Sequence, residues 1–255
     1  MDLFDLRQRV AVVTGGNGGI GLGIARGLAQ AGADLVIAGR NEAKNADAVA
    51  ALERFGVRVI GVAGDVCDEA HVGRLFAEAG ERLGGVDILI ANAGTNLRKR
   101  PEEYTLAEWH HLIDANLTSA FVCCQAAYPA MKRRGGGKIV TIGSMTSLQG
   151  FDMAAVYAAS KGGVVQLTRS LASAWARDHI QVNCILPGWI DTDLTRRGRQ
   201  AIPDLHDKVV ARTPAGRWGN PEDLAGAAVF LCSRASDFVT GTAIPVDGGF
   251  SSSLF

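Results

Sequence analysis

The sequence predicts an α/β fold: one open, doubly wound parallel sheet of about seven strands with helices on both faces. Three observations carry this. Short β-branched runs alternate with longer Ala- and Leu-rich segments along the chain. The short runs are almost continuously apolar, which marks strands covered on both faces. A glycine-rich turn, "TGGNGGIG" from Thr14 to Gly21, separates the first such run from the first helical segment.

Taken in order, the predicted strands are 9–14, 34–39, 57–64, 86–91, 137–143, 180–186 and 242–247. Helices fill the intervals at 19–31, 42–55, 68–83, 105–133, 154–177 and 221–234. Boundary residues agree with these assignments. Gly32 follows the first helix, where a C-terminal glycine ends a helix. Thr105 and Glu108 have the interval of a capping box. Asn220, Pro221 and the acids after them read as an N-cap, a first-turn proline and a favourable charge at the positive helix end. No linker, repeat or low-complexity tract interrupts the pattern, so 1–255 is expected to be a single domain. The least regular stretch, about 188–219, reads as a substrate lid.

Composition excludes several function classes. Lys plus Arg equal Asp plus Glu at 26 each, so no excess charge calls for nucleic acid. No apolar run reaches the ~20 residues of a membrane span. The N-terminus has no basic-then-apolar leader. The five cysteines are odd in number and lack CxxC spacing, which suits reduced thiols in a cytoplasmic protein. The five histidines form no ligand motif, so no metal is expected.

The glycine-rich turn is the first candidate site. Glycines permit close approach of a phosphate, and the following helix offers unpaired N–H groups and a positive dipole end. Gly15, Asn17, Gly19, Ile20 and Gly21 are the candidate contacts of a Rossmann-type dinucleotide site. The second strand ends "IAGRN". An acid there would hold an NAD ribose, whereas a basic residue suits the NADP 2′-phosphate. Gly39 is not an acid and Arg40 is basic, so NADP is favoured over NAD.

The second candidate site lies in "SMTSLQGFDMAAVYAASKGG". Ser144 ends the fifth strand, at the sheet edge where open α/β folds bind ligands. Tyr157 and Lys161 are i and i+4 on the next helix and share a face. A neighbouring ammonium lowers a phenol's pKa, so Tyr157 is expected to exchange a proton with a carbonyl or alcohol oxygen. Ser144 is expected to polarise the same oxygen. Asn116 stands mid-helix in "IDANLTSAF", where asparagine is unfavourable without a separate task.

These residues carry a resemblance. "TGGNGGIG", "GDV" at 64–66, "NAG" at 92–94, Asn116, "S…YAASK", "PG" at 187–188 and "GTAIPVDGG" resemble the short-chain dehydrogenase/reductase family from about residue 7 to 250. The resemblance implies a catalytic tetrad of Asn116, Ser144, Tyr157 and Lys161, with Lys161 also on the nicotinamide ribose and Asn116 holding a relay water. It further implies cofactor contacts at Asp65 and Val66, at Asn92, Ala93 and Gly94, and at Pro187, Gly188, Ile190 and Thr192. It implies a homotetramer as well.

Within the family the chain is most similar to gluconate 5-dehydrogenases and 2-deoxygluconate 3-dehydrogenases, through "NAGTNLRKRPEEYTLAEW", "GGKIVTIGSMTSLQGF" and "TPAGRWGNPEDLAG". A bidentate arginine just after the NAG turn would hold a sugar-acid carboxylate, and Arg98 is the nearest. Met145, Gln149 and Trp189 would shape the rest of the pocket. The expected reaction is reversible NADP-linked oxidation of a secondary hydroxyl on a gluconate-like acid. A 3-oxoacyl thioester reductase, another sugar or ketone reductase, and a non-catalytic dinucleotide-binding protein remain as alternatives.

Overall fold

The computed structural model describes residues 2–253. Its strands and helices alternate as β1 (Val10–Thr14), α1 (Gly19–Gln30), β2 (Asp34–Gly39), α2 (Glu42–Glu53), β3 (Val59–Ala63), α3 (Glu69–Leu83) and β4 (Ile88–Ala91). Two further helices follow, α4 (Leu106–Ile113) and α5 (Ser119–Arg133), then β5 (Gly137–Ile142), α6 (Ala155–Trp175) and β6 (Ile180–Pro187). The chain continues through α7 (Asp193–Ala201), α8 (Leu205–Arg212), α9 (Ala225–Cys232) and β7 (Ala243–Val246).

All seven strands join one sheet in the order β3-β2-β1-β4-β5-β6-β7, and every pair is parallel. In β1 every residue is buried. Alternate side chains still serve different layers. Val10 and Val12 pack with Leu75, Phe76 and Cys124 from α3 and α5. Ala11 and Val13 pack with Ile24, Leu28 and Leu231 from α1 and α9. That division is the physical reason for the uninterrupted apolar runs. The chain leaves β1 toward β2 on one side and takes β4 on the other, which opens a crevice at the carboxyl ends of these strands.

Three predicted elements differ. The segment 105–133 is not one regular helix, because a π-helical turn, Asp114–Thr118, separates α4 from α5. The Asn116 side chain reaches Thr95: Thr95 N–H donates to Asn116 Oδ1 at 2.8 Å, and Asn116 Nδ2 donates to the Thr95 carbonyl at 3.0 Å. The segment 221–234 opens as a 3-10 turn, Pro221–Leu224, before α9. There Asn220 makes no side-chain cap; Asp223 instead accepts from the Asn220 N–H at 2.7 Å. The stretch 188–219 is more ordered than its sequence suggests, since it forms α7 and α8. The capping box at α4 is present: Thr105 N–H donates to Glu108 Oε2 at 2.9 Å, and Glu108 N–H to Thr105 Oγ1 at 3.2 Å.

Candidate active site

The turn after β1 is built so that its backbone can be approached. Gly15 and Gly19 have φ of +62° and +49°, which favours glycine. A Cβ at Gly21 would fall 2.2 Å from the Gly15 carbonyl oxygen. Asn92 ties this turn to β4, its Nδ2 donating to the Thr14 and Gly15 carbonyls at 2.8 and 3.2 Å. A groove runs along the turn. Gly15, Asn17, Gly19, Ile20 and Gly21 line one wall, and Asn92, Ala93 and Gly94 continue it. Pro187, Gly188, Ile190 and Thr192 close the far side, with Tyr157 and Lys161 at the floor.

The groove extends past Gly15 and Asn17 into a second hollow lined by Gly39, Arg40, Asp65 and Val66. Arg40 is exposed and lies 3.9 Å from the Asp65 carboxylate. Position 39 has no room for a side chain: a Cβ there would fall 2.3 Å from Asn17 Nδ2 and 2.8 Å from Asn45 Oδ1. Asn17 Nδ2 donates to Asn45 Oδ1 at 2.6 Å, and Asn45 Nδ2 donates to the Gly39 carbonyl at 2.9 Å. Asn45 was not singled out from the sequence. Its signal is a polar residue on the buried side of α2, alongside Ala48 and Leu52.

Beyond the groove, on the side of α7 and α8, lies a cavity of about 520 Å³. Ser144 and Tyr157 belong to both spaces, so they stand at the junction. Lys161 is buried and donates from Nζ to the Ile142 carbonyl at 2.8 Å. Burial pushes its ammonium down to about 8. Burial also raises the Tyr157 phenol; the Ser144 hydroxyl and the Arg98 charge oppose that rise. This corrects the sequence reading, which gave the balancing charge to Lys161. Lys161 Nζ lies 5.8 Å from the centre of the Tyr157 ring and is committed to a carbonyl.

Ser144 also has a structural task, as its Oγ accepts from the Thr146 N–H at 3.1 Å. Asn116 is buried, and beyond Thr95 it donates to Ser160 Oγ at 3.1 Å. A Cβ at Gly94 would lie 2.7 Å from Asn116 Oδ1 and 3.5 Å from Lys161 Nζ, so both face that glycine.

Of the three cations in "NLRKR", two are paired. Lys99 binds Glu108, and Arg100 lies 2.7 Å from Glu102. Arg98 alone lines the cavity. Its Cζ stands 5.7 Å from the centre of the Trp189 ring, and its buried Nε has no hydrogen-bond partner. It rests against Gly198 of α7, where any Cβ would collide with Nη1. Met145, Gln149 and Trp189 line the same cavity. So do Leu194 and Arg212, from the stretch 188–219 expected to be a lid, and Asn96, Phe151 and Phe250, which were not singled out from the sequence. Asn96 and Phe151 lie in the loops after β4 and β5, and Phe250, in the C-terminal segment, reaches the cavity only through the tertiary fold.

Comparison with known proteins agrees with this architecture. A family model described as Enoyl-(Acyl carrier protein) reductase matches residues 15–251. The 2-dehydro-3-deoxy-D-gluconate 5-dehydrogenase of Formosa agariphila is 39% identical over 100% of this chain and 97% of its own. The gluconate 5-dehydrogenase of Gluconobacter oxydans is 42% identical over 99% of this chain and 98% of its own. A solved structure of a gluconate 5-dehydrogenase from Burkholderia cenocepacia, in complex with NADP and tartrate, superposes with a TM-score of 0.94 at 42% identity, covering 99% of both chains. With that sheet order, that groove and similarity over nearly the whole length, the chain belongs to the short-chain dehydrogenase/reductase family.

Proposed function

We propose that this protein is an NADP-dependent oxidoreductase that interconverts a secondary alcohol and a ketone on a gluconate-like sugar acid. One observation carries the substrate class. Arg98 is a half-buried guanidinium without an acid partner among the described residues, in the wall of the cavity that Ser144 and Tyr157 line. An unpaired cation in such a place favours an anionic ligand, and a carboxylate matches its planar donors. The names of the relatives support the same class. A neutral 3-oxoacyl thioester would leave Arg98 without a counter-charge.

The groove fits NADP by its own geometry. Glycines stand where a side chain would block the turn, and Asn17 and Asn45 fill the space an NAD-binding acid would need at position 39. Arg40 is then the charge available to a 2′-phosphate. The Burkholderia relative's NADP supports this choice. Gly15, Gly19, Ile20 and Gly21 would hold the pyrophosphate side, Asp65 and Val66 the adenine, and Asn92 to Gly94 the groove wall. Pro187, Gly188, Ile190 and Thr192 would hold the nicotinamide end. When bound, the nicotinamide supplies or accepts the hydride.

The chain's own residues do the rest. Ser144 and Tyr157 together hold the substrate oxygen, Ser144 through its hydroxyl and Tyr157 through its phenol. In reduction Tyr157 donates a proton to that oxygen; in oxidation its phenolate removes one. Lys161 fixes the α6 face against β5 and would bind the ribose. Asn116, beside Lys161 at Gly94, would hold the relay water. Met145, Gln149 and Trp189 bound the substrate. The reading also takes 1–255 as one domain with a lid at about 188–219. It places a homotetramer in the cytoplasm, without nucleic acid or membrane as partner. The buried thiols Cys123, Cys124, Cys184 and Cys232 suit that compartment.

The test is the steady-state oxidation of NADPH with 5-keto-D-gluconate, run beside NADH. We expect turnover that prefers NADPH, a loss of at least about a hundredfold in Tyr157→Phe, and a raised KM in Arg98→Met. Equal rates for wild type and Tyr157→Phe would remove the assigned mechanism.

A further inference from the structure

A second cation stands at the edge of the cavity that Arg98 lines. Among the described residues its lining holds two arginines, Arg98 and Arg212, and neither Asp nor Glu. Among the described residues neither arginine takes part in an ion pair. Arg98 comes from the segment after β4, beside Tyr157. Arg212 comes from the last residue of α8 and sits over Phe250, with Cζ 4.6 Å from the ring centre.

A basic residue at a helix C-terminus has an ordinary electrostatic use there. That use requires no cavity and no aromatic plate. Phe250 is 8% exposed, so the plate is fixed in the core. A guanidinium lying on a ring keeps its in-plane N–H donors directed sideways, available to a carboxylate. The cavity thus presents two planar cations on different structural elements, Arg98 half-buried in its wall and Arg212 exposed at its edge, with no acid paired to either among the described residues.

We propose that the cavity accepts hydroxy dicarboxylates of the sugar-diacid class, with one carboxylate on Arg98 and the other on Arg212. The proposal rests on the sugar-acid reading above and extends it to a second anionic end. The chemistry is unchanged: bound oxidised NADP would supply the hydride acceptor for a carbinol carbon between the carboxylates, Tyr157 as phenolate would take the hydroxyl proton, and a keto diacid would result.

The test measures NADPH formation by the intact enzyme with gluconate, and with tartrate, glucarate and galactarate as four- and six-carbon diacids. We expect at least one diacid to exceed gluconate in kcat/KM. Arg212→Leu should lower that diacid-to-gluconate ratio roughly tenfold to a hundredfold, and Arg212→Lys should restore part of it. A merely structural role for Arg212 would lower both substrates together and leave the ratio unmoved, which overturns the proposal. Turnover of gluconate without any diacid overturns it too, and leaves the sugar-acid reading standing. Turnover of diacids without gluconate upholds it and narrows that reading. Turnover of neither removes both.

Discussion

Lys161 is a cation held where charge is costly, and that cost has a pH signature. Its pKa falls from 10.5 to about 8 on folding because burial disfavours the ammonium. Between those values the unfolded chain binds more protons than the folded one, so this group makes stability rise with pH across about 8 to 10.5. Below about 8 both states are protonated and the whole penalty applies. We therefore expect wild type to gain stability on Lys161→Met by up to about 3 kcal/mol over that window. Urea midpoints of the two proteins at a series of pH values check this, and a constant difference would refute it. Tyr157, Lys161 and Ser144 were legible in the sequence because helical spacing and a strand end place them without knowledge of the rest of the fold. The electrostatic partner of Tyr157 was not. Arg98 reaches it from another element, and the pairing of Lys99 and Arg100 with glutamates that singles Arg98 out is a tertiary fact.

At the scale of elements, we propose that the junction of β2 with α2 selects the cofactor, by filled space as much as by charge. The sequence showed that Gly39 is not an acid and that Arg40 is a base. It did not show that Asn17 and Asn45 occupy the vacancy through a 2.6 Å hydrogen bond. A Gly39→Asp substitution would supply an acceptor for an NAD ribose. Here the new Cβ would lie within 2.8 Å of both asparagines. We expect Gly39→Asp to lower the melting temperature and to lose NADPH turnover without a matching gain with NADH. Gly39→Asp combined with Asn45→Ala should recover NADH turnover. Steady-state kinetics with both cofactors decide it, and efficient NADH use by the single variant would show that the asparagines yield. The π-helical turn at Asn116 has the same character. The sequence marked an asparagine out of place, but its partner Thr95 lies in a loop that periodicity cannot bring to it.

For the whole molecule, hydrophobic runs located all seven strands; burial on both faces marks the inner ones, while the edge strands β3 and β7 are apolar but only partly covered. Their order was not in those runs, because every strand is apolar enough to be central; the position of β1 between β2 and β4 follows from packing of the complete chain. Assembly is the remaining question at this scale, and the surface of α4 and α5 bears on it. Leu106 is 70% exposed, Trp109 41% and Phe121 43%. Scattered apolar side chains are ordinary on a surface, whereas several large ones on two consecutive helices mark a face that gains by being covered. The proposed homotetramer would cover it with the same helices of a second subunit, an isologous contact in which each substitution acts twice. We expect the wild-type protein to elute at four times the chain mass by size-exclusion chromatography with light scattering. Leu106→Glu with Phe121→Glu should divide that mass while leaving the far-ultraviolet circular dichroism of the α/β sheet intact. A monomeric wild type, or an undivided double variant, would assign the assembly to another face or to none.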